Sequence, residues 1–159
     1  MARVLIVGCG CRGRALTGVL RAGGHAVRGT TREDAGLAAI EAAGAEAVVA
    51  DPDRLGTIVA TLAGVSAVCW LMGSATGPGV GDLHGPRLTT LLERLVDTHV
   101  RGVVYEAAGT VERRLLDEGA DAVRAASATW RIGAEIVAVD PRDRDGWLAA
   151  MGAAVARLL

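Results

Sequence analysis

Short runs of aliphatic and β-branched residues alternate with longer segments of helical spacing along the whole chain of 159 residues. In the longer segments, apolar residues recur at intervals of three and four, which is the period of an amphipathic helix. Strands that alternate with helices pair in parallel through right-handed crossovers. The pattern therefore predicts an α/β fold with a doubly wound parallel six-stranded sheet of order 3-2-1-4-5-6. The candidate strands are Val4–Val7, His25–Thr30, Ala47–Ala50, Ala67–Leu71, Gly102–Tyr105 and Ile132–Val139.

Composition and charge exclude several classes of protein. The length suits one domain, covering residues 1–159, and the apolar fraction of 51% excludes a disordered chain. The 17 basic and 18 acidic residues leave a net charge of −1, so no charge excess favours nucleic acid or an anionic membrane. All the basic residues are Arg, and a chain without Lys can form no lysine Schiff base and no Walker-type phosphate loop.

One long uncharged stretch, residues 55–81, is long enough to span a bilayer. Glycines and hydroxyl residues interrupt it throughout, which favours an amphipathic helix, a turn and a buried strand. We therefore expect a soluble, cytoplasmic protein without a membrane segment.

The most informative motif is Gly8-Cys9-Gly10-Cys11-Arg12-Gly13, which follows the first strand directly and opens a helix. In this context Gly8 permits a tight turn, Gly10 lets the backbone approach a pyrophosphate, and Gly13 allows close packing of helix on sheet. The phosphate charge then lies on unpaired N–H groups of the helix, and Cys11 and Arg12 of the motif are predicted cofactor-binding residues together with the three glycines. The motif predicts a dinucleotide-binding Rossmann fold; the alternative is a compact turn in a glycine-rich chain.

The end of the second strand distinguishes the two nicotinamide cofactors. An acid there binds the ribose 2′-hydroxyl of NAD, whereas an Arg suits the 2′-phosphate of NADP. Here Thr31 and Arg32 occupy that place, so we expect NADP in preference to NAD. Arg12 is a second candidate for the same phosphate. The alternative for both arginines is a solvated surface position.

The segment VLIVGCGCRGRALTGVLRAGGHAVRGTTR (residues 4–32) resembles the opening of atypical short-chain dehydrogenase/reductases, the nucleoside-diphosphate-sugar epimerase-like group. The resemblance implies that Arg32 binds the 2′-phosphate, that Asp51 meets the adenine amino group, and that Leu71, Met72 and Gly73 flank the cofactor. It continues through VVYEAAG, residues 103–109. The glycine spacing departs from that group's usual GxxGxxG.

The chemistry implied by the resemblance is not preserved. Ala107 and Ala108 replace the group's Ser after the fifth strand, the downstream Tyr is missing, and there is no Lys. The chain also stops after a sixth strand and one helix, where active relatives continue into a substrate lobe. We therefore expect a truncated form of that group.

Several polar residues lie near the expected cofactor edge of the sheet. Glu106 is a candidate general base and His84 a candidate proton donor, with Ser74 and Thr110 on neighbouring loops. Structural alternatives exist for each: Glu106 in an ion pair, His84 at the surface, Ser74 bound to backbone and Thr110 capping the next helix. No catalytic residue is assigned, and no metal site is expected. Trp70 is expected in the core.

Two functions remain open at this point. The first is a non-catalytic or minimal NADP(H)-binding module. The second is an NADPH-dependent oxidoreductase or epimerase-like enzyme that acts on a small-molecule substrate with non-standard catalytic residues. The last helix carries Trp147, Met151 and one charge after Trp147, Arg157, which predicts a homodimer through that helix. The alternative is an ordinary outer helix whose small residues expose little apolar area.

Overall fold

The computed structural model describes every residue from Met1 to Leu159 and contains one six-stranded sheet. All strand pairs are parallel and the order is β3-β2-β1-β4-β5-β6, which confirms the predicted fold. The strands are β1 (Arg3–Val7), β2 (Ala26–Thr31), β3 (Glu46–Val49), β4 (Ala67–Trp70), β5 (Gly102–Glu106) and β6 (Gly133–Val137).

Helices connect the strands and cover both faces of the sheet. They are α1 (Cys11–Ala22), α2 (Leu37–Ala42), α3 (Leu55–Val59), α4 (Val80–Leu83), α5 (Pro86–Leu95), α6 (Arg113–Trp130) and α7 (Arg144–Leu158), with a short 3-10 helix at Asp34–Gly36. Side chains of α3, α5 and α6 pack on one face, and those of α1, α2 and α7 on the other. No helix is both long and apolar enough to cross a membrane.

Successive residues of β1 contribute to the two faces in turn. Leu5 and Val7 join the core beneath α3, α5 and α6, whereas Val4 and Ile6 join the core beneath α1, α2 and α7. All four are fully buried, because both faces of a central parallel strand are covered. Trp70 at the end of β4 is also fully buried, and its indole N–H donates to the Leu83 carbonyl at 3.0 Å, which confirms its core position.

The sheet brings together the loops that follow β1, β4 and β5. Val7 pairs with Trp70 at the ends of β1 and β4, and Trp70 pairs with Tyr105 near the end of β5. The strand order reverses between β1 and β4, where ligands of such sheets bind. This edge therefore positions any site that the loops form.

Two local features depart from what the sequence pattern suggests. The acid Asp53, two residues before Leu55, is placed as a candidate cap of α3, but Arg54 occupies the capping position and no side chain accepts a capping hydrogen bond. The loop after β4 contains the short helix α4, which was not predicted because only four residues form it and glycines surround it.

The C-terminal helix α7 is an outer layer with its large residues turned inward. Trp147 and Met151 are buried in the core, so neither is available to a partner. The outward positions include Ala149, Ala153 and Ala156, which carry small side chains. The apolar character of α7 thus comes largely from residues that the chain itself covers.

Candidate functional site

The glycine loop between β1 and α1 is held in one conformation by its neighbours. Gly8 has φ +81°, and a side chain there would overlap Met72 and lie 2.9 Å from the Leu71 carbonyl oxygen. The N–H of Gly8 donates to the Thr30 hydroxyl at 3.1 Å, and the N–H of Cys9 donates to the Thr30 carbonyl at 2.9 Å. These two hydrogen bonds to Thr30 of β2 therefore fix the position of the loop relative to the end of the sheet.

The first N–H groups of α1 lie at the end of this loop. The first helical hydrogen bond runs from the Arg14 N–H to the Gly10 carbonyl at 2.9 Å. The N–H groups of Cys11, Arg12 and Gly13 precede it and have no acceptor within the protein. Such groups, together with the helix dipole, favour an anion at the start of the helix.

A cavity of about 420 Å³, here called the loop cavity, opens at this point. Most of the predicted cofactor residues line it: Gly8, Gly10, Cys11, Arg12, Gly13, Arg32, Leu71 and Met72. Ser74, Ala75 and Thr76 also line it and were not predicted as cofactor residues, although their position directly after Leu71–Gly73 was a usable signal. A Cβ added to Gly10 would meet nothing within 4 Å, so this side of the loop is open.

A second cavity of about 620 Å³, the β2 cavity, continues the first past the end of β2. Gly8, Gly10 and Arg32 line both, and Thr31 lines the second. Gly73 and Asp51 line neither of them. The two cavities form an extended cleft over the glycine loop, with Arg32 where they meet.

Arg32 is held by two carboxylates that follow β3. Its guanidinium is hydrogen-bonded to Asp53 and lies 3.3 Å from a carboxylate oxygen of Asp51. The same Asp51 oxygen accepts the Asp53 N–H at 2.9 Å. The Arg32 side chain is 43% exposed, so it lies at the surface of the cleft in contact with solvent.

Arg12 extends toward β5, on the side of the loop opposite β2. Its Nη2 lies 2.8 and 3.0 Å from the two Glu106 carboxylate oxygens, and its Nε lies 3.3 Å from one of them. Its guanidinium carbon is 5.6 Å from the centre of the Trp147 ring. In this arrangement Arg12 neutralises Glu106 at the end of β5, whereas Arg32 is the arginine that follows β2.

Glu106 is fully buried, and the Gly73 N–H also donates to it at 2.8 Å. Burial raises the pKa of the Glu106 carboxyl, and the adjacent Arg12 guanidinium opposes that rise. The ion-pair alternative for this residue is confirmed. A role as general base is not supported, because both carboxylate oxygens are bound within the protein.

His84 is also buried, with 1% of its surface exposed, so the surface alternative is wrong. Its Nε2 lies 3.0 Å from the Met72 carbonyl, which can only accept, so Nε2 carries the proton. Nδ1 then accepts from the Tyr105 hydroxyl at 2.6 Å. Burial lowers the pKa of His84, and with both nitrogens engaged it is a neutral core residue and not a proton donor to the cleft.

A third cavity of about 610 Å³, the β5 cavity, lies beside the loop cavity on the β5 side. Arg12 and Ser74 line both cavities. The Ser74 hydroxyl accepts the Thr110 N–H at 3.3 Å, which confirms its backbone-binding alternative. Thr110 does not cap α6, because Glu112 occupies the capping position. The remaining lining residues of the β5 cavity are Gly109, Thr110, Asp140, Pro141 and Arg142.

The cysteines differ in their surroundings. Cys9 and Cys69 are buried and Cys11 is exposed, and all three thiols are free. No group of three or more His, Cys, Asp or Glu side chains lies close enough together to hold a metal ion.

The sequence matches no protein-family profile and no curated protein. The structure superposes on several solved structures, some of which are named as NAD-dependent proteins or as complexes with NAD. A Bacillus halodurans protein assigned as an NAD-dependent epimerase/dehydratase superposes with a TM-score of 0.70 and 20% identity, over 89% of this chain and 71% of that one. The fold is a Rossmann fold.

Two further neighbours are longer enzymes. UDP-N-acetylglucosamine 4-epimerase from Bacillus cereus has a TM-score of 0.66 and 14% identity, over 87% of this chain and 53% of that one. Vestitone reductase from alfalfa has a TM-score of 0.65 and 15% identity, over 87% and 56%. This chain thus spans little more than half the length of these two enzymes. At such identities the likeness establishes the fold.

Proposed function

We propose that this protein binds a nicotinamide dinucleotide in the cleft over the glycine loop. The observation that carries the proposal is the combination of the open face at Gly10 with the three unpaired N–H groups of Cys11, Arg12 and Gly13. A pyrophosphate fits such a place because it needs close backbone approach and hydrogen-bond donors. The β2 cavity then receives the adenosine end, and the loop cavity the nicotinamide end.

NADP is the preferred cofactor in this proposal. Arg32 lies at the end of β2 where the two cavities meet, and its guanidinium suits a 2′-phosphate. Arg12 contributes to the nicotinamide side instead, because it is bound to Glu106. Asp51 engages Arg32 and the Asp53 N–H through Oδ1, which leaves its Oδ2 for a contact with the adenine amino group.

A binding titration tests this proposal. Purified protein is titrated with NADPH and with NADH, and binding is followed by cofactor fluorescence. We expect both to bind, NADPH more tightly. Failure of both cofactors to bind a folded protein would contradict the proposal.

Replacing Arg32 by Ala tests whether this residue distinguishes NADPH from NADH. We expect the affinity for NADPH to fall by roughly 10- to 100-fold, because charge-assisted hydrogen bonds to the 2′-phosphate are lost. The affinity for NADH should remain almost unchanged, since NADH has only a hydroxyl at that position. Equal losses of affinity for NADPH and NADH would show that Arg32 does not bind the 2′-phosphate.

The binding module without catalysis is the function we favour. The chain has no Lys, its only Tyr is buried and bonded to His84, and Glu106 is enclosed by Arg12 and Gly73. Neither the Tyr105 hydroxyl nor the Glu106 carboxyl is therefore exposed to the cleft as a proton donor or acceptor. The protein would then act by sensing NADP(H) or by presenting it to a partner.

The β5 cavity supports a second candidate, an NADPH-dependent oxidoreductase or epimerase-like enzyme. This cavity adjoins the loop cavity through Arg12 and Ser74 and is lined by polar and small residues, which leaves room for a small substrate. A bound cofactor would supply hydride transfer there. Oxidation of NADPH with a panel of aldehydes, ketones and quinones distinguishes the two functions.

We also propose a cytoplasmic homodimer, whose interface would lie on the outer face of α7 at Ala149, Ala153 and Ala156, since Trp147 and Met151 are covered by the chain itself. Light scattering at high micromolar concentration should give about twice the chain mass of 16.2 kDa. Because Trp147 and Met151 are buried, Ala153→Glu is the variant that tests the outer face of α7 without disturbing the core. A monomeric wild-type protein would exclude the dimer, and a dimer unaffected by Ala153→Glu would place its interface elsewhere.

A further inference from the structure

Arg32 belongs to a network of charged side chains that extends from the end of β2 to the start of α5. One carboxylate oxygen of Asp53, Oδ2, is bound by Arg32. The other oxygen, Oδ1, lies 3.5 Å from Nε of Arg87, and Nη2 of Arg87 lies 4.0 Å from Asp82. Asp53 thus stands between two arginines, of which only Arg32 lines the proposed cofactor cleft.

The contact between Asp53 and Arg87 is incomplete. Oδ1 of Asp53 and Nε of Arg87 are both buried atoms, and neither has a hydrogen-bond partner. Buried polar atoms without partners cost free energy, so native structures rarely keep them. Here the two atoms that lack a partner face each other across a gap slightly too long for a hydrogen bond.

We propose that Asp53 and Arg87 are positioning residues that set the preference between NADPH and NADH. This inference rests on the proposed function. When Arg32 turns from Asp53 to a 2′-phosphate, Asp53 completes its hydrogen bond to Arg87. The negative charge that Arg32 releases is thereby neutralised within the protein.

The physical reason lies in the charges around the 2′-phosphate. Asp53 competes with the phosphate for Arg32 and, once released, would repel it. Arg87 reduces both the competition for Arg32 and the repulsion of the phosphate, because it forms an ion pair with the released Asp53 carboxylate. The two residues therefore act on NADPH with opposite signs: Asp53 weakens its binding and Arg87 strengthens it. Neither effect extends to NADH, whose 2′-hydroxyl does not require Arg32 to move.

The experiment is a double-mutant cycle in which NADPH and NADH are titrated separately. Asp53→Asn should tighten NADPH by about two- to fivefold, and Arg87→Gln should weaken it by a similar factor, the range for partly exposed ion pairs. In the double variant, Arg87→Gln should have no further effect, because Arg87 acts through Asp53. NADH affinity should stay constant throughout. Asp34→Asn, which removes an exposed charge near β2, is the matched control and should change neither cofactor.

Results that differ from these expectations contradict the inference. If Arg87→Gln weakens NADPH equally in the Asp53→Asn background, Arg87 contacts the phosphate itself. If NADH changes together with NADPH, the substitutions act on the fold of the cleft. Should one single variant fail to fold, the other still tests the inference through its ratio of NADPH to NADH affinity. A wild-type protein that binds neither cofactor contradicts the proposed function, whereas unchanged ratios of NADPH to NADH affinity contradict only this inference.

Discussion

Gly10→Val protein is expected to fold and to bind neither NADPH nor NADH. Gly10 has φ −80°, which any residue adopts, and its added side chain would meet nothing within 4 Å in the protein. The same side chain would occupy the place where a pyrophosphate approaches the start of α1. Affinity for both cofactors should fall by more than about 100-fold, equivalent to roughly 2.7 kcal/mol.

Gly18→Val is the matched control for this prediction. Gly18 lies within α1, the helix that Gly10 precedes; it is exposed and also has no protein atom within 4 Å of an added Cβ, but it lies outside the cleft. We expect Gly18→Val to retain binding of both cofactors. A folded Gly10→Val protein that still binds either cofactor would remove the basis of the proposed function. Thermal melting of both variants establishes that they are folded.

The sheet could be predicted from the sequence because several local signals agree there. The run Val4–Val7 is apolar at every position, which fits a central strand covered on both faces. The glycines that follow it allow the turn, and a segment of helical spacing begins at once. Where propensity, pattern and turn chemistry agree, the fold follows from the sequence.

Side-chain partners could not be predicted in this way. Asp53 stands where a helix cap is expected, but the arginines at positions 32 and 87 reach it from other elements. His84 lies in a glycine-rich loop, yet Tyr105 and the Met72 carbonyl bind it inside the core. In each case the partner is distant in sequence, and only the packing of the sheet brings the groups together.

Arg12 shows the same limit within the motif itself. The glycine spacing correctly predicted the loop, but it carried no information on which way the guanidinium would turn. The alternatives considered from the sequence were a 2′-phosphate near β2 and a solvated surface position, whereas the guanidinium turns to the buried Glu106 at the end of β5. The buried carboxylate accounts for the observed direction, because an unneutralised charge in that position would be costly.

Arg12→Ala protein is expected to lose stability in a pH-dependent manner. Without Arg12, the Glu106 carboxylate is buried with no opposite charge, which costs about 3 kcal/mol of unfolding free energy at pH 8. This is the lower end of the usual range, because the Arg12 side chain is 32% exposed. Burial already raises the pKa of Glu106, and removal of Arg12 raises it further.

The sign of the pH dependence follows from this pKa. A carboxyl whose pKa is raised in the folded state favours folding while it is protonated, and that contribution is lost as pH rises through the folded-state pKa. The difference between wild type and Arg12→Ala should therefore be small near pH 5 and grow toward pH 8. Urea denaturation at both pH values measures it.

Two further variants separate the charge of Glu106 from other effects. Arg12→Ala combined with Glu106→Gln should recover most of the lost stability at pH 8, because Gln is uncharged and its carbonyl still accepts the Gly73 N–H. Arg14→Ala, on the same helix but in no ion pair, should show little dependence on pH. An equal loss at pH 5 and pH 8 in Arg12→Ala would instead attribute its effect to the packing of Arg12 on Trp147, since that contact does not titrate.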